Sequence, residues 1–233
     1  MTEALRLRDV SAGYGDTVVL ENVNFAVGRG ESVSVIGRNG VGKSTLLATV
    51  MGQTTLHAGE IVFEGRRLDI APAHQRARAG LGYVPQEREI FPSLSVLENL
   101  EIGARPGAWT IDRVVDLFPV LQQRLGHRGS QLSGGEQQML AIARALLTNP
   151  SMLLMDEPSE GLAPVIVQAL TVVLAGLRAE GGLAIVLVEQ NSRVALEFSA
   201  RTVVMDKGGI VYDGSSAQLD ANPELLASLV AAQ

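Results

Sequence analysis

The chain has 233 residues, 46% of them hydrophobic, and a formal net charge of −6. This length allows one large domain or two small ones, and the composition can fill a substantial core. The acidic balance gives no sign of a nucleic-acid-binding surface. Because the sequence contains no cysteine, disulfides, thiol catalysis and cysteine-ligated metals are excluded, and its three histidines are too scattered for a zinc cluster.

The sequence also lacks the segments that direct a chain into or across a membrane. No apolar run reaches the roughly 18 residues that a spanning helix needs, and no charged segment followed by an apolar one opens the chain. We therefore expect a protein with no transmembrane segment and no export signal of its own, which resides in the cytoplasm.

The first quarter of the chain reads mainly as strands separated by Gly-rich turns. The predicted strands are 5–10, 18–20, 23–27 and 61–63, and a further strand at 32–36 is described below with the segment that follows it. The middle of the chain has helical spacing instead, with Pro and Gly breaks, and the predicted helices are 95–103, 111–117 and 136–147.

After Pro150 the pattern changes again, to continuous apolar runs typical of parallel strands that are covered on both faces. These runs are 152–155, 184–188 and 202–205. We predict a single α/β domain over 1–233, with a core formed by 1–86 and 150–233. Residues 87–149 are predicted to form a mostly helical insert in that core.

Residues 37–44 fit the phosphate-binding P-loop pattern G-x-x-x-x-G-K-[ST]. They stand between a predicted strand at 32–36 and a predicted helix at 45–51, which is the context that this pattern requires. Gly37, Gly40 and Gly42 allow the backbone N–H groups to face a phosphate, and the helix N-terminus adds a favourable partial charge. A chance Gly-rich turn is the alternative, and the flanking strand and helix argue against it.

The polar residues of this segment supply the remaining nucleotide contacts. We expect Lys43 to reach the β- and γ-phosphates and the Ser44 hydroxyl to ligate Mg²⁺. Asn39 and Thr45 complete the candidate set. ATP and Mg²⁺ are therefore the expected ligands.

Two acids, Asp156 and Glu157, close the apolar run that begins at Met152. At the C-terminal edge of a parallel sheet they face the ligand crevice. Asp156 is placed to hold Mg²⁺ directly or through water, and Glu157 to orient or deprotonate an attacking water. The alternative is a solvated acidic turn at the end of a strand.

A second Gly-rich segment, LSGGEQ at 132–137, precedes a predicted helix. Ser133 is a good N-cap, and with Glu136 it forms a capping-box pattern. The segment can be only a capped helix. It can also be a phosphate site made of the Ser133 hydroxyl, the glycines Gly134 and Gly135, and the helix N-terminus.

Together, and in this order, residues 37–44, 132–137 and 152–157 resemble the nucleotide-binding subunit of ABC transporters, and LSGGEQ is that family's own motif. The resemblance covers essentially the whole chain. It implies an ABC ATPase fold: a P-loop NTPase core with a mostly parallel sheet, an N-terminal antiparallel β subdomain and a helical insert. It also implies a head-to-tail dimer in which Ser133, Gly134 and Gly135 contact the γ-phosphate held by the partner's P-loop.

The same resemblance assigns further positions. Tyr14 matches the aromatic residue that stacks on adenine, and Gln86 matches the Q-loop glutamine, which touches Mg²⁺ or the water and senses the membrane subunit. Residues 159–162 occupy the D-loop. The family usually has a histidine where this chain has Gln190, whose amide can donate a hydrogen bond to phosphate but cannot relay a proton. The alternatives are an ordinary turn tyrosine at position 14 and a polar strand end at position 190.

The sequence at 133–142, 156–164 and 187–191 looks like that of the shorter ATPase of branched-chain amino acid importers. This branch of the family is similar to urea and amide importer ATPases. That branch pairs two different ATPase subunits with two membrane permease subunits and a periplasmic solute-binding protein. The implied role is an ATPase at the cytoplasmic face of the plasma membrane that powers uptake of a small polar solute. A cytosolic ABC ATPase without a transport role, such as an assembly factor, and a non-hydrolysing regulatory module are the other readings.

Overall fold

The computed structural model describes residues 2–231. Its strands are β1 (Glu3–Tyr14), β2 (Thr17–Gly28), β3 (Ser32–Ile36), β4 (Thr55–Phe63), β5 (Arg66–Arg67), β6 (Leu81–Val84), β7 (Met152–Asp156), β8 (Ala184–Glu189), β9 (Arg201–Asp206) and β10 (Gly209–Ser215). Its α-helices are α1 (Lys43–Met51), α2 (Ala73–Arg78), α3 (Val96–Gly103), α4 (Ile111–Leu117), α5 (Pro119–Gln122), α6 (Gly134–Leu147), α7 (Pro164–Ala179), α8 (Ser192–Phe198), α9 (Ser216–Asp220) and α10 (Pro223–Ala231). A 3₁₀ turn covers Gly129–Gln131.

The strands form two sheets. The antiparallel sheet has the order β2-β1-β4-β5, and the larger sheet has the order β10-β9-β3-β8-β7-β6. In the larger sheet β6, β7, β8, β3 and β9 run parallel, and only the pair of β9 with β10 is antiparallel. This arrangement confirms the predicted α/β fold with an antiparallel β part near the N-terminus.

The prediction of two separate strands at 18–20 and 23–27 was wrong, because both belong to the continuous strand β2. Asn22, between them, has a left-handed backbone with a φ of 49°. The register between β1 and β2 shifts several times along their length. These irregularities interrupt the apolar alternation, so one long irregular strand looks like two short ones in the sequence.

The parallel strands bring four segments to one edge of the larger sheet. The P-loop follows β3, and Asp156 ends β7 with Glu157 directly after it. Gln86 lies two residues beyond β6, and Gln190 follows β8. Carboxyl ends of parallel strands are the usual place for a ligand crevice. The fold therefore gathers distant parts of the sequence at one edge.

The chain between β6 and β7 is helical, with α3 packed on α6. Its apolar side chains share one cluster with the sheet, since Leu140 and Leu146 of α6 lie in the same core as Leu153 and Met155 of β7. The boundaries of the core (1–86 and 150–233) and of the insert (87–149) stay a prediction. Among residues 2–231, no helix combines the length and the apolarity needed to cross a bilayer.

The helix that follows the P-loop is capped at its C-terminal end by a buried arginine. Arg76 of α2 is only 3% exposed, and its guanidinium donates to the carbonyl oxygens of Thr49 and Val50, both at 2.9 Å, and of Ala71 at 2.7 Å. The carbonyls at the end of a helix lack partners within the helix, and a cation there also complements the helix dipole. Arg76 thus fixes the end of α1 opposite the P-loop.

Candidate active site

The P-loop turns from β3 into the N-terminus of α1 through glycines in left-handed conformations. Gly40 has a φ of 81°, and Gly42, the N-cap of α1, has a φ of 106°. A Cβ on Gly42 would come within 3.0 Å of Leu20 Cδ2, whereas a Cβ on Gly40 would have no neighbour within 4 Å. The loop therefore packs closely against β2 on one side and is open to an approaching ligand at its tip.

A cavity of about 310 Å³ lies beside this loop. It contains most of the residues that the sequence assigned to the nucleotide: Asn39, Gly40, Gly42, Lys43, Ser44, Thr45, Gln86 and Glu157, together with Val19. Gly37 lies behind the loop at the end of β3, where its carbonyl oxygen accepts a hydrogen bond from Lys43 Nζ at 3.0 Å. The volume and the lining suit a polyphosphate group rather than an apolar ligand.

Lys43 is held inside this cavity by three oxygen atoms. Its Nζ donates to the carbonyl oxygens of Gly37 and Arg38, both at 3.0 Å, and forms an ion pair with Glu157 Oε1 at 3.1 Å. The side chains of Lys43 and Glu157 are only 3% and 7% exposed. The charges of Lys43 and Glu157 thus neutralise each other at a place that is almost closed to water.

Ser44, which lines the cavity, pairs with the buried Asp156, which does not line it. Ser44 Oγ donates to Asp156 Oδ1 at 3.0 Å, although the two residues lie on different elements, α1 and β7. Burial raises the pKa of Asp156 to about 6, against the lowering effect of the hydrogen bond from Ser44. A hydroxyl and a carboxylate at this distance offer the hard oxygen ligands that Mg²⁺ prefers.

Glu157 has a strained backbone, with a φ of 46° in the left-handed region. Its N–H donates to the carbonyl oxygen of Val188 at 2.9 Å, which ties the end of β7 to β8. Its side chain lines the P-loop cavity and also a second cavity of about 260 Å³. Glu157 therefore stands where the two cavities meet.

Gln190 lines the second cavity and not the first. Its neighbours in that lining are Glu157, Ser159, Glu160, Glu189 and Asn191. The side chain of Gln190 is exposed. The structure thus places Gln190 near Glu157, at the edge of the sheet that the sequence predicted.

Gln86 belongs to the P-loop cavity, and its amide donates to the carboxylate of Glu160. This contact joins the segment after β6 to the turn after β7. Both side chains are exposed, so the contact is a weak one that a ligand can displace.

The LSGGEQ segment has the predicted local structure but lies outside both cavities. Ser133 is the N-cap of α6, and its Oγ accepts from the Glu136 N–H at 3.3 Å while Glu136 Oε2 accepts from the Ser133 N–H at 2.7 Å. Gly134 is exposed, and a Cβ on Gly135 would come within 2.8 Å of Ile166. Ser133, Gly134 and Gly135 therefore do not join the P-loop within one chain.

Tyr14 is the last residue of β1 and is 53% exposed. It is absent from the lining of the P-loop cavity, where the neighbouring β2 contributes Val19 instead. The ring is free to stack on a planar group, but the structure does not join Tyr14 to the phosphate-binding residues.

Sequence reasoning overlooked Val19 and Glu189. Val19 carries no chemical signal, since it is one apolar residue in a strand. Glu189 ends a buried strand just as Asp156 and Glu157 do, and this acid after an apolar run was the available signal. Glu189 is 2% exposed, and its carboxylate accepts hydrogen bonds from Ser159.

The chain is similar to known proteins along most of its length. Residues 20–160 match the family described as ABC transporter. The chain is 42% identical over 224 residues to the high-affinity branched-chain amino acid transport ATP-binding protein BraG of Pseudomonas aeruginosa, covering 93% of this chain and 94% of that protein. It is 32% identical over 223 residues to the lipopolysaccharide export system ATP-binding protein LptB of Escherichia coli, covering 92% of each.

Among solved structures, it resembles the ATP-binding cassette MJ0796, a dimer in a post-hydrolysis state bound to ADP and Pi. The TM-score is 0.80 at 27% identity, and the match covers 91% of this chain and 98% of that one. The P-loop geometry, the acids at the end of β7 and these similarities agree. The chain therefore belongs to the ABC transporter family, as one of its ATP-hydrolysing subunits.

Proposed function

We propose that the chain hydrolyses ATP to power the import of branched-chain or related amino acids. The observation that carries this proposal is the 42% identity to BraG across 93% of the chain. The identity to LptB, which serves lipopolysaccharide export, is 32%. This difference of ten percentage points in sequence identity favours amino acid import over lipopolysaccharide export.

The proposed chemistry divides the site by residue. The backbone N–H groups of 37–44 and Lys43 bind the phosphates, and Asn39 and Thr45 complete this contact. Lys43 exchanges Glu157 for a phosphate oxygen, which releases the carboxylate to accept a proton from the attacking water. Gln190 donates a hydrogen bond to the γ-phosphate, and Tyr14 stacks on the adenine.

Ser44, Asp156 and Gln86 are the residues that would hold Mg²⁺. The fit rests on the 3.0 Å contact between the Ser44 hydroxyl and the Asp156 carboxylate, and on Gln86, which lines the same cavity as Ser44. When bound, the ion supplies positive charge to the phosphate oxygens. The chain's part is to orient these oxygen ligands at the N-terminus of α1.

The position of LSGGEQ outside the P-loop cavity supports a site completed by a second ATPase subunit. In this proposal Ser133, Gly134 and Gly135 contact the nucleotide held by the partner, in a head-to-tail heterodimer. ATP binding closes the dimer and hydrolysis opens it. The dimer sits peripherally at the cytoplasmic face of the membrane on two permease subunits, docked near residues 87–105, and a periplasmic solute-binding protein delivers the solute. We propose no nucleic acid partner.

Solute uptake by cells tests the transport role. Cells that lack the gene should take up labelled leucine, isoleucine and valine more slowly, and the wild-type gene should restore the rate. A gene carrying Glu157→Gln should not restore it. Labelled urea, an aliphatic amide and spermidine serve as comparison solutes. Unchanged leucine uptake together with a loss for one of the comparison solutes would refute amino acid import and leave the ATPase assignment intact.

The role of Gln190 is tested by two substitutions. Gln190→Ala should lower ATP turnover about tenfold while ADP affinity stays the same, because ADP lacks the γ-phosphate and one hydrogen bond to a charged group is worth about 1.5–3 kcal/mol. Gln190→His should keep most of the activity, since an imidazole N–H also donates, and its rate should acquire a new pH dependence near neutrality.

Gln168, an exposed glutamine on α7, provides the matched control, and Gln168→Ala should behave as wild type. Steady-state ATPase rates and ADP binding by calorimetry are the measurements. Wild-type turnover by Gln190→Ala in the assembled transporter would show that Gln190 is only a polar residue after a strand.

A further inference from the structure

Glu189 is a buried acid to which the chemistry above gives no role. It closes β8 directly before Gln190 and is only 2% exposed. Burial raises its pKa, which reflects the free-energy cost of keeping a carboxylate away from water. A carboxylate that is unfavourable to bury is expected where its hydrogen bonds fix the position of another segment of the chain.

The carboxylate of Glu189 receives both donors of a single residue. Its Oε1 accepts from the Ser159 N–H at 3.1 Å, and its Oε2 accepts from the Ser159 hydroxyl at 2.9 Å. Hydrogen bonds to a charged acceptor are stronger than neutral ones, and the two-point contact also fixes the orientation of Ser159.

The segment held in this way is the turn that carries Glu157. Ser159 lies two residues after Glu157, and the turn continues with hydrogen bonds from the Glu160 N–H to the Glu157 carbonyl oxygen at 3.0 Å and from the Leu162 N–H to the Ser159 carbonyl oxygen at 3.3 Å. The left-handed backbone of Glu157 is strained, so neighbouring contacts must hold it.

These contacts fasten the turn to β8 at two consecutive points. The Val188 carbonyl oxygen accepts from the Glu157 N–H, and the Glu189 side chain accepts from Ser159. The residue directly after β8 is Gln190, which lines the second cavity together with Glu157. The hydrogen bonds between this turn and the end of β8 therefore set both the position of Glu157 and its distance from Gln190.

We propose that Glu189 is a positioning residue for ATP hydrolysis, which fixes the Glu157 turn against the end of β8 through Ser159. This inference rests on the role proposed above for Glu157. Glu189 does not line the P-loop cavity, where the phosphate-binding residues lie. Loss of the contact should therefore slow the chemical step and leave nucleotide binding unchanged.

The test compares Glu189→Ala, Glu189→Gln and Ser159→Ala in the full chain, assembled with its transporter partners. Glu189→Ala should lower kcat at least tenfold, with the KM for ATP and the Kd for ADP unchanged within about twofold. Glu189→Gln should restore most of kcat, because its carbonyl can accept from the Ser159 N–H and its amide can donate to the Ser159 oxygen.

Ser159→Ala keeps the backbone hydrogen bond and removes only the hydroxyl, so it should lower kcat by a few-fold in a folded protein. The double variant Glu189→Ala/Ser159→Ala should be no slower than Glu189→Ala alone, because both changes remove the same contact. A double variant with fully additive losses would show that the two residues act independently and would contradict the proposal.

Thr202→Val is the control for a general loss of stability. It removes a different buried hydroxyl pair, Thr202 with Ser216 at 2.7 Å, near the start of β9. This variant should match Ser159→Ala in its loss of melting temperature and keep wild-type kcat. The role of Glu189 would be merely structural if Thr202→Val lowered kcat as much as Ser159→Ala does. A loss of ADP affinity in Glu189→Ala would lead to the same conclusion.

Glu157→Gln separates this inference from the one on which it rests. If Glu157→Gln hydrolyses ATP at the wild-type rate, the proposed base is wrong. If Glu157→Gln is inactive while Glu189→Ala and Ser159→Ala keep the wild-type kcat, only the positioning role of Glu189 is overturned.

Discussion

Glu157→Gln is expected to lower the ATP turnover number by about 100- to 10,000-fold, the usual contribution of a positioned general base. The amide keeps the shape of the carboxylate but cannot accept the proton. ATP and ADP should bind at least as tightly as to the wild type. Lys43 no longer forms the 3.1 Å ion pair with this residue, so it is freer to contact phosphate.

Single-turnover hydrolysis and equilibrium binding of ATP and ADP measure the two effects separately. In ATP, the variant should also accumulate as a closed dimer, visible by size-exclusion chromatography. Glu180→Gln, a neutralised carboxylate on the exposed residue after α7, is the matched control and should hydrolyse normally. Turnover by Glu157→Gln at the wild-type rate would remove Glu157 from the role of base.

Lys43→Ala should weaken ATP binding by about 10- to 150-fold, because one charge-assisted hydrogen bond to a phosphate is worth about 1.5–3 kcal/mol. Part of this loss of ATP affinity comes from Glu157 and not from the missing phosphate contact. Without Lys43, the buried carboxylate of Glu157 has lost its ion-pair partner and repels the incoming phosphates. The measured loss therefore combines a missing attraction with a new repulsion.

The double variant Lys43→Ala/Glu157→Gln separates these two contributions. Its ATP affinity should lie between those of Lys43→Ala and the wild type, since the unpaired charge is gone while the phosphate contact is still missing. Isothermal titration with ATP and ADP provides the comparison. An ATP affinity of Lys43→Ala equal to that of the wild type would contradict the P-loop assignment.

The sequence was sufficient to predict those parts of the structure that short-range patterns determine. The strand 32–36, the glycines around Lys43 and the helix that follows them were predictable, because strand alternation, loop chemistry and helical spacing depend on neighbouring residues. The same holds for Ser133 as the N-cap of α6. Ser44 and Asp156 were each predicted to hold Mg²⁺, which stays a prediction, and the structure brings the two side chains into contact at the carboxyl edge of one parallel sheet.

The features that the sequence did not predict depend on packing between segments that are distant in the chain. The continuity of β2 through Asn22 is imposed by its pairing with β1 and not by its own alternation. The contact of Glu189 with Ser159 joins residues 30 positions apart, and no local pattern in the sequence pairs the two. The role of Ser133 could not be read from one chain's geometry either, because the motif lies outside the P-loop cavity.

The arginine cap on α1 has a consequence for the thermodynamics of nucleotide binding. Arg76 anchors the far end of the helix through backbone carbonyls alone, so the amide groups of the P-loop start from a rigid, preorganised support. Ligands that meet a preorganised site lose less conformational entropy on binding. The conformational entropy lost on ATP binding should then come mainly from the side chains that we propose to change partners, and not from the backbone that we propose to bind the phosphates.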